Sequence, residues 1–333
     1  MPKKYKTGFI IGKFVPLHKG HQYLIESALK QSEKLTIVVC QNDNKNYIDA
    51  KIRANWIREL YPEAKVHIYH HRDALDSTST DISPIWAELT IKFLGYAPDA
   101  VFSSEEYGKA YAQCMGSAHV MIDSKRRKYP ISGTLIRSNP YKYWQFLSEP
   151  VRGFYSKRVV VLGAESTGTT TLTKALARHY RTSWAPEYGR TYCEGRRTAK
   201  NRNNWTADEF IHIASVQNEM EDFLARKSNR LLICDTDAFA TRLWFERYLG
   251  YLYPKLDEIT NTQNKSLYIL TGDEIPFEQD GTRDGEHIRH QMHQRFVDEL
   301  EKYHLNYILV TGNRQKRRKD AIAAIDKLFE VSQ

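Results

Sequence analysis

Gly12-Lys13-Phe14-Val15-Pro16-Leu17-His18-Lys19-Gly20-His21 follows a short apolar run, Gly8–Gly12, and leads into a helical pattern over Gln22–Gln31. A strand, a turn and a helix in that order are the opening of an α/β domain. Two histidines flank a glycine where the chain enters the helix. A helix N-terminus offers free N–H groups and a partial positive charge. Gly20 lets the backbone come close to a phosphate. His18 and His21 can each donate a hydrogen bond to developing negative charge. We read the turn as a phosphate site.

Working outward, apolar runs alternate with helical patterns. Strands are expected at Leu35–Cys40, Val66–Tyr69, Ala100–Phe102 and His119–Ile122. Helices are expected at Lys51–Tyr61, Pro84–Gly95 and Glu105–Cys114. A second series has strands at Arg158–Gly163, Arg230–Asp235, Ser266–Thr271 and Tyr307–Thr311. Its helices fall at Thr169–Tyr180, Thr206–Ala225, Asp237–Leu249, Glu286–Tyr303 and Arg314–Phe329. Alternation of this kind predicts a parallel sheet with helices on both faces, built twice. We place the domains at 1–150 and 151–333. The aromatic segment Asn139–Ser156 is too apolar for a free linker, and we expect it to pack between the two.

The composition fits. The 333 residues are 41% apolar, enough for a core in each half, and the net charge is +9. No run of apolar residues is long enough to span a bilayer, and Lys13 interrupts any leader-like stretch. Cys40, Cys114, Cys193 and Cys234 form no C-x-x-C. They read as buried free thiols in a reducing, cytoplasmic setting. The basic runs Lys125–Lys128 and Lys316–Lys319 are short and separate. The first abuts the expected phosphate site and the second begins the last helix. We expect no nucleic acid and no membrane as partners; a homo-oligomer stays open.

A second signal stands at the far end of the first domain. Ile131-Ser132-Gly133-Thr134-Leu135-Ile136-Arg137 opens another helix. Ser132 and Thr134 can cap it and donate to phosphates, and Arg137 adds a charged fork. Together, G-x-F-x-P-x-H-x-G-H early and I-S-x-T-x-x-R late resemble the nucleotidylyltransferase superfamily over roughly the first 140 residues. The resemblance implies a Rossmann-like fold that transfers a nucleotide from a nucleoside triphosphate and releases pyrophosphate. It implies that His18 and His21 hold the triphosphate at the α-phosphate. Ser132, Thr134 and Arg137 would hold the leaving phosphates, and Gly12, Lys13 and Phe14 would belong to the same ATP site. Mg²⁺ would neutralise the triphosphate. The acceptor is a phosphate already nucleophilic, so positioning and charge suffice.

In the second domain Val159–Leu162 runs into Gly163-Ala164-Glu165-Ser166-Thr167-Gly168-Thr169-Thr170-Thr171. This is the P-loop form G-x-x-x-x-G-K-[ST] with Thr169 in the place of lysine. The backbone can still wrap phosphates, and Thr170 can still bind Mg²⁺. Asp235-Thr236-Asp237 at the end of a buried strand sits like a Walker B acid. One Asp would join the Mg²⁺ shell, and the other would orient or deprotonate a hydroxyl. Glu187-Tyr188-Gly189-Arg190 offers an acid, an aromatic and a cation in one turn. Asp280-Gly281-Thr282-Arg283 lies where small-molecule kinases carry a lid. Arg283, then Arg289, would replace the missing cation.

The pairing of these halves is similar to bifunctional NadR-type enzymes, over nearly the whole chain. Ser103 and Ser104, within Phe102-Ser103-Ser104-Glu105, belong to the matching pieces, as do Glu187, Tyr188 and Arg190. The resemblance implies substrate contacts at those five residues. It further implies adenylyl transfer from ATP to nicotinamide mononucleotide, giving NAD, and phosphorylation of nicotinamide riboside. Some members carry a DNA-binding domain at the N-terminus and act as repressors. This chain opens on the catalytic strand, so we expect no such role. Because Thr169 departs from the family loop, a second reading keeps the transferase and makes the C-terminal half a nucleotide-sensing module. The general transferase motifs also leave other acceptors open: a phosphopantetheine, a flavin mononucleotide or a glycerol phosphate.

Overall fold

A computed structural model of the chain describes residues 3–45, 48–72, 75, 80–196, 204–261, 265–278 and 286–330. The chain divides into two compact units, Met1–Val151 and Arg152–Gln333. Each is an α/β domain around a five-stranded parallel sheet.

The first unit runs β1 (Tyr5–Gly12), α1 (Lys19–Gln31), β2 (Ser32–Asn42), α2 (Ala50–Leu60), β3 (Lys65–His71), α3 (Ser83–Leu94), β4 (Ala100–Ser103), α4 (Tyr107–Cys114), β5 (Ala118–Met121) and α5 (Gly133–Ser138). The strand order is β3-β2-β1-β4-β5. Order reverses at β1, so the chain leaves β1 and β4 toward opposite sides and opens a crevice at their C-terminal ends. That crevice receives the loop 12–21 and the segment after Ser103. Phe9, Val38, Cys40 and Val101 on the strands pack on Ala87, Tyr111, Ala112 and Met115 of α3, α4 and the turn that follows.

After α6 (Glu149–Tyr155), the second unit runs β6 (Lys157–Leu162), α7 (Thr169–Tyr180), β7 (Trp184–Ala185), α8 (Tyr188–Arg196), α9 (Ala207–Lys227), β8 (Leu231–Asp235), α10 (Ala238–Leu249), α11 (Pro254–Asn261), β9 (Leu267–Thr271), α12 (Arg289–Lys302), β10 (Tyr307–Val310) and α13 (Arg314–Glu330). The order β10-β9-β6-β8-β7 puts β6 at the centre. Alternate residues of its strands feed two cores. Val160, Leu162, Leu232, Cys234 and Leu270 face Phe296 and Leu300 of α12. Val159, Val161, Ile233, Leu267 and Ile269 face Leu172 and Leu176 of α7 and Ile325 of α13. Burial on both faces is why these strands read as unbroken apolar runs.

The elements differ from the sequence reading in places. The two-residue β7 and the helices α6 and α11 were not among the expected elements. Glu187–Arg190 is not an isolated turn but the entry to α8. The helix expected from Glu286 begins with a 3₁₀ turn, Glu286–Ile288, before α12. All four cysteines are free, but only Cys40 and Cys234 are buried; Cys193 is half-buried and Cys114 exposed. Cys114 ends an exposed helix terminus rather than a strand, so the core has no claim on it.

Candidate active sites

The turn after β1 is built around His18. Its backbone is extended and it caps α1. Its Nδ1 accepts the amides of Gly20 at 3.1 Å and His21 at 3.4 Å. A side chain on Gly20 would crowd the His18 ring at 3.0 Å, so the histidine cap as well as any approaching phosphate favours glycine here. With Nδ1 accepting, a neutral ring carries its proton on Nε2 and presents a donor. Burial, reinforced by the Arg126 charge, lowers the His18 pKa to about 4. The His21 ring stacks on it with centroids 3.7 Å apart. Burial lowers the His21 pKa too, with the charges of His18 and Arg126 adding to it. Both rings are therefore neutral near pH 7. Phe14, at positive φ, closes edge-on over His21.

Ser132 caps α5, accepting the Leu135 amide at 3.2 Å. Thr134 sits inside the helix, not at its cap. Arg137 lies in the last turn of α5; it donates to the Val15 carbonyl at 2.6 Å and to Thr134 Oγ1 at 3.1 Å. Gly133 permits the approach of the two motifs, since a Cβ there would lie 2.6 Å from the Val15 oxygen. The early and late motifs thus join across more than 100 residues of chain. They line one cavity of about 510 Å³ that includes Gly12, Lys13, Phe14, His18, His21, Ser103, Ser104, Ser132, Thr134 and Arg137.

The same cavity holds residues that sequence reading did not single out. Arg126 sits on its wall, paired with Glu105 at 2.9 Å. The basic run 125–128 was its only signal. Asp123, whose carboxylate accepts the amides of Arg127 and Lys128, shapes that loop. His71, Trp86, Tyr107 and Tyr111 supply an aromatic wall. Behind the turn, Arg53 is fully buried. It donates to the carbonyls of Lys13, Cys40 at 3.0 Å and Ile48 at 2.6 Å, and to the side chain of Gln41. It fixes the path of the loop without lining the cavity.

The second site is the P-loop. Ser166 and Gly168 take left-handed backbone, which turns successive amides inward. A Cβ on Gly163 would fall 2.2 Å from Thr271 Oγ1 and 2.7 Å from Thr167 Oγ1. Thr271 donates to Thr167 at 2.7 Å, and Thr167 donates to the Ala164 carbonyl at 2.7 Å. The hydroxyl of Thr167 is thereby spent on holding the loop. Thr171 faces outward. Arg317 of α13 is buried and donates to the carbonyls of Thr167, Gly272 and Gly312, with Glu274 at 2.8 Å.

Thr170 Oγ1 donates to Asp235 Oδ2 at 2.5 Å. Burial pushes the Asp235 carboxyl up, with the Thr170 hydroxyl pulling the other way. The second oxygen of Asp235 is buried and accepts no hydrogen bond. A carboxylate with an open lone pair beside a loop hydroxyl fits Mg²⁺, which Thr170 and Asp235 would hold.

A cavity of about 150 Å³ adjoins the loop, lined by Gly163, Glu165, Ser166, Thr169, Glu187 and Arg190. Its far wall is aromatic: Trp205, Phe210, Trp244 and Tyr248. Three expected residues, Asp237, Tyr188 and Arg289, are elsewhere. Asp237 is buried as the cap of α10; it accepts the Ala240 amide at 3.1 Å and the Tyr268 hydroxyl at 2.9 Å, and does not line the cavity. Strand-end acids and helix caps share one sequence signature, and here the cap won. Tyr188 packs against Tyr192 and His212, its hydroxyl 3.1 Å from His212 Nε2. Arg289 is buried and donates to the Ile275 carbonyl at 2.5 Å. Asp280, Gly281, Thr282 and Arg283 lie outside the described residues.

The fold and the two sites define a class: a nucleotidyltransferase-like domain followed by a P-loop domain. A cytidylyltransferase-like family model matches residues 9–139, and an AAA-domain model matches residues 158–317. The chain is 29% identical over 331 residues to the trifunctional NAD biosynthesis/regulator protein NadR of Escherichia coli (strain K12), covering 93% of this chain and 80% of that protein. Crystal structures of NadR in complex with NAD and AMP-PNP, and in complex with NR, superpose with TM-scores of 0.77 and 0.79. They cover 98% and 97% of this chain and 96% of theirs, at 23% identity, a likeness of fold. Both domains are matched in the same order, and the chain is similar to NadR over nearly its whole length. Among the described residues no helix is long and apolar enough to cross a membrane.

Proposed function

We propose that the chain is a bifunctional enzyme of NAD salvage. Its first domain transfers the adenylyl group of ATP to nicotinamide mononucleotide. A phosphate oxygen of the acceptor attacks the α-phosphorus, the bond to the β-phosphate oxygen breaks, and NAD and pyrophosphate form. The observation that carries this reading is the junction of the two motifs. His18 Nε2, neutral and protonated, and the Arg137 guanidinium border one cavity, so donors stand where negative charge grows. Arg126 adds charge on the same wall. The relative from Escherichia coli, named for NAD biosynthesis, supports nicotinamide mononucleotide over the other acceptors. The test is direct: ATP, Mg²⁺ and the mononucleotide, with NAD and pyrophosphate measured. His21→Ala should lose on the order of 2.7–4 kcal/mol of transition-state stabilisation, the scale for one oxyanion donor. Turnover of the other acceptors with none of the mononucleotide would overturn the assignment.

The second domain, by the same proposal, phosphorylates nicotinamide riboside. Its cavity joins a P-loop to an aromatic wall, with ring pairs such as Trp205–Phe210 at 5.0 Å and Trp205–Tyr248 at 5.6 Å. A cationic pyridinium ring suits such a wall. Glu187 stands in the cavity as the acid that meets the ribose hydroxyl. Mg²⁺, when bound, screens the triphosphate charge. Riboside and ATP should yield the mononucleotide, and Asp235→Asn should abolish that reaction while sparing adenylyl transfer. Thr169 favours the alternative, a nucleotide-sensing module; ATP binding with no phosphorylated riboside would decide for it.

A further inference from the structure

The cavity of the first domain has two unlike ends. The segments after β1 and β5 bring His18, His21, Arg126 and Arg137 to one of them, donors suited to a triphosphate. The other lies where β2 and β3 end side by side, Asn42 opposite His71, and Cys40, His71 and Trp86 line it. Its polar groups are few, and most are already engaged. Trp86 Nε1 donates to the Leu75 carbonyl at 3.1 Å, so the indole offers a ligand only its face. The Tyr111 hydroxyl is paired with Thr90 Oγ1 at 2.6 Å. The Tyr107 hydroxyl can both donate and accept, so it does not tell a donor from an acceptor. His71 is different. It is buried, and its ring stands at 79° to Trp86 with centroids 5.4 Å apart. Its Nδ1 lies 3.1 Å from the Arg72 carbonyl oxygen. A carbonyl only accepts, so Nδ1 carries the proton, and in the neutral ring Nε2 keeps a lone pair. Among the described residues no donor reaches Nε2.

A buried acceptor without a donor is satisfied when a ligand brings one. Attacking and leaving oxygens stand in line at a transferred phosphorus. With the leaving phosphates at the end that carries Arg137, the β2–β3 end is left for the acceptor. We propose that this end takes the nicotinamide ring of the acceptor, and that His71 Nε2 accepts from its carboxamide N–H, selecting the amide over the carboxylate of nicotinate mononucleotide. An amide brings two donors. An ionised carboxylate brings acceptors only, and sets them against the imidazole lone pair. The inference rests on the reading of the first domain as a nicotinamide mononucleotide adenylyltransferase and names the group by which that site tells two acceptors apart.

The experiment uses the full chain with ATP and Mg²⁺, and measures kcat/KM for nicotinamide mononucleotide and for nicotinate mononucleotide by pyrophosphate release. The ratio of the two is taken on one preparation, so it does not move with the fraction of enzyme that is folded. The unaltered chain should favour the amide by about tenfold or more, the equivalent of one hydrogen bond. His71→Leu should cut the ratio about 10-fold. His71→Gln should keep part of it, because its side-chain oxygen can accept. His71→Arg puts a charged donor in the same place and should turn the preference toward the acid. Thermal melts without ligand report whether a variant keeps its fold; should His71→Leu lose it, His71→Met replaces it in the series. No preference for the amide in the unaltered chain, an unchanged ratio in the His71 variants, a shift carried by Tyr107→Phe instead, or an effect confined to the KM for ATP overturns the proposal. No NAD from the mononucleotide with the unaltered chain would instead remove the reading on which it rests.

Discussion

The rings of His18 and His21 are stacked, 3.7 Å between centroids and 22° between planes. Two imidazoles this close cannot both be charged, and Arg126 beside them adds to the cost. The site is built to work with neutral histidines. That fixes its pH behaviour.

The His18 pKa is lowered in the folded protein from 6.5 to about 4. The unfolded chain therefore binds more protons between those values, and stability falls as pH drops through that window. His18→Asn keeps a good helix cap but removes the titration. Denaturant melts at pH 7 and pH 4.5 should show a larger loss for the wild type than for His18→Asn. Equal losses would mean that His18 titrates normally in the fold. Adenylyl transfer should show no acid limb from His18 near 6.5.

Arg137 ties α5 to the turn after β1 and faces the cavity. Arg137→Ala should raise the KM for ATP and also lower kcat, because the leaving pyrophosphate gains charge as the bond breaks. Steady-state kinetics with each substrate varied separate the two effects. A change confined to the acceptor's KM would place the arginine on the wrong side of the reaction.

Arg53 gives its donors to three backbone carbonyls and Gln41. Arg53→Ala strands those acceptors in the interior, at about 3 kcal/mol or more. Chemical denaturation of the first domain's transition measures it. Lysine has one nitrogen in place of the fork and should restore little. A loss under about 1 kcal/mol would show that water replaces the side chain.

Gly163→Ala puts a methyl into the hydroxyls of Thr271 and Thr167. The variant should lose phosphorylation of the riboside and keep adenylyl transfer, since the first site does not use that loop. Parallel assays on one preparation give the comparison. Retained kinase turnover would mean that the two threonines can move aside.

Much of this architecture could be read beforehand, for a physical reason. Val159–Leu162 and Leu231–Cys234 are buried on both faces, so their apolarity is continuous and unmistakable. The two-residue β7 has no periodicity to display. Phosphate turns announce themselves through glycine and histidine at fixed spacing. Their supports do not: Arg53 looks like any arginine on an amphipathic helix, and Arg317 is one of four basic residues in a row. Asp237, expected to orient a substrate hydroxyl, caps α10 instead, because both tasks ask for an acid at the same point of the chain. Contacts made across distant sequence, such as Thr271 with Thr167, leave no local mark at all.

Arg317 sets an order of events for a chain made from one end. The P-loop is synthesised at residues 163–171, yet the guanidinium that holds the Thr167 carbonyl arrives about 150 residues later, in the first turn of α13. While the ribosome still covers α13, the loop has its glycines and no keystone. The nascent second domain should gain its nucleotide grip only once the final helix has emerged, whereas the first domain, whose two motifs are both complete by Arg137, can mature while the rest is being translated.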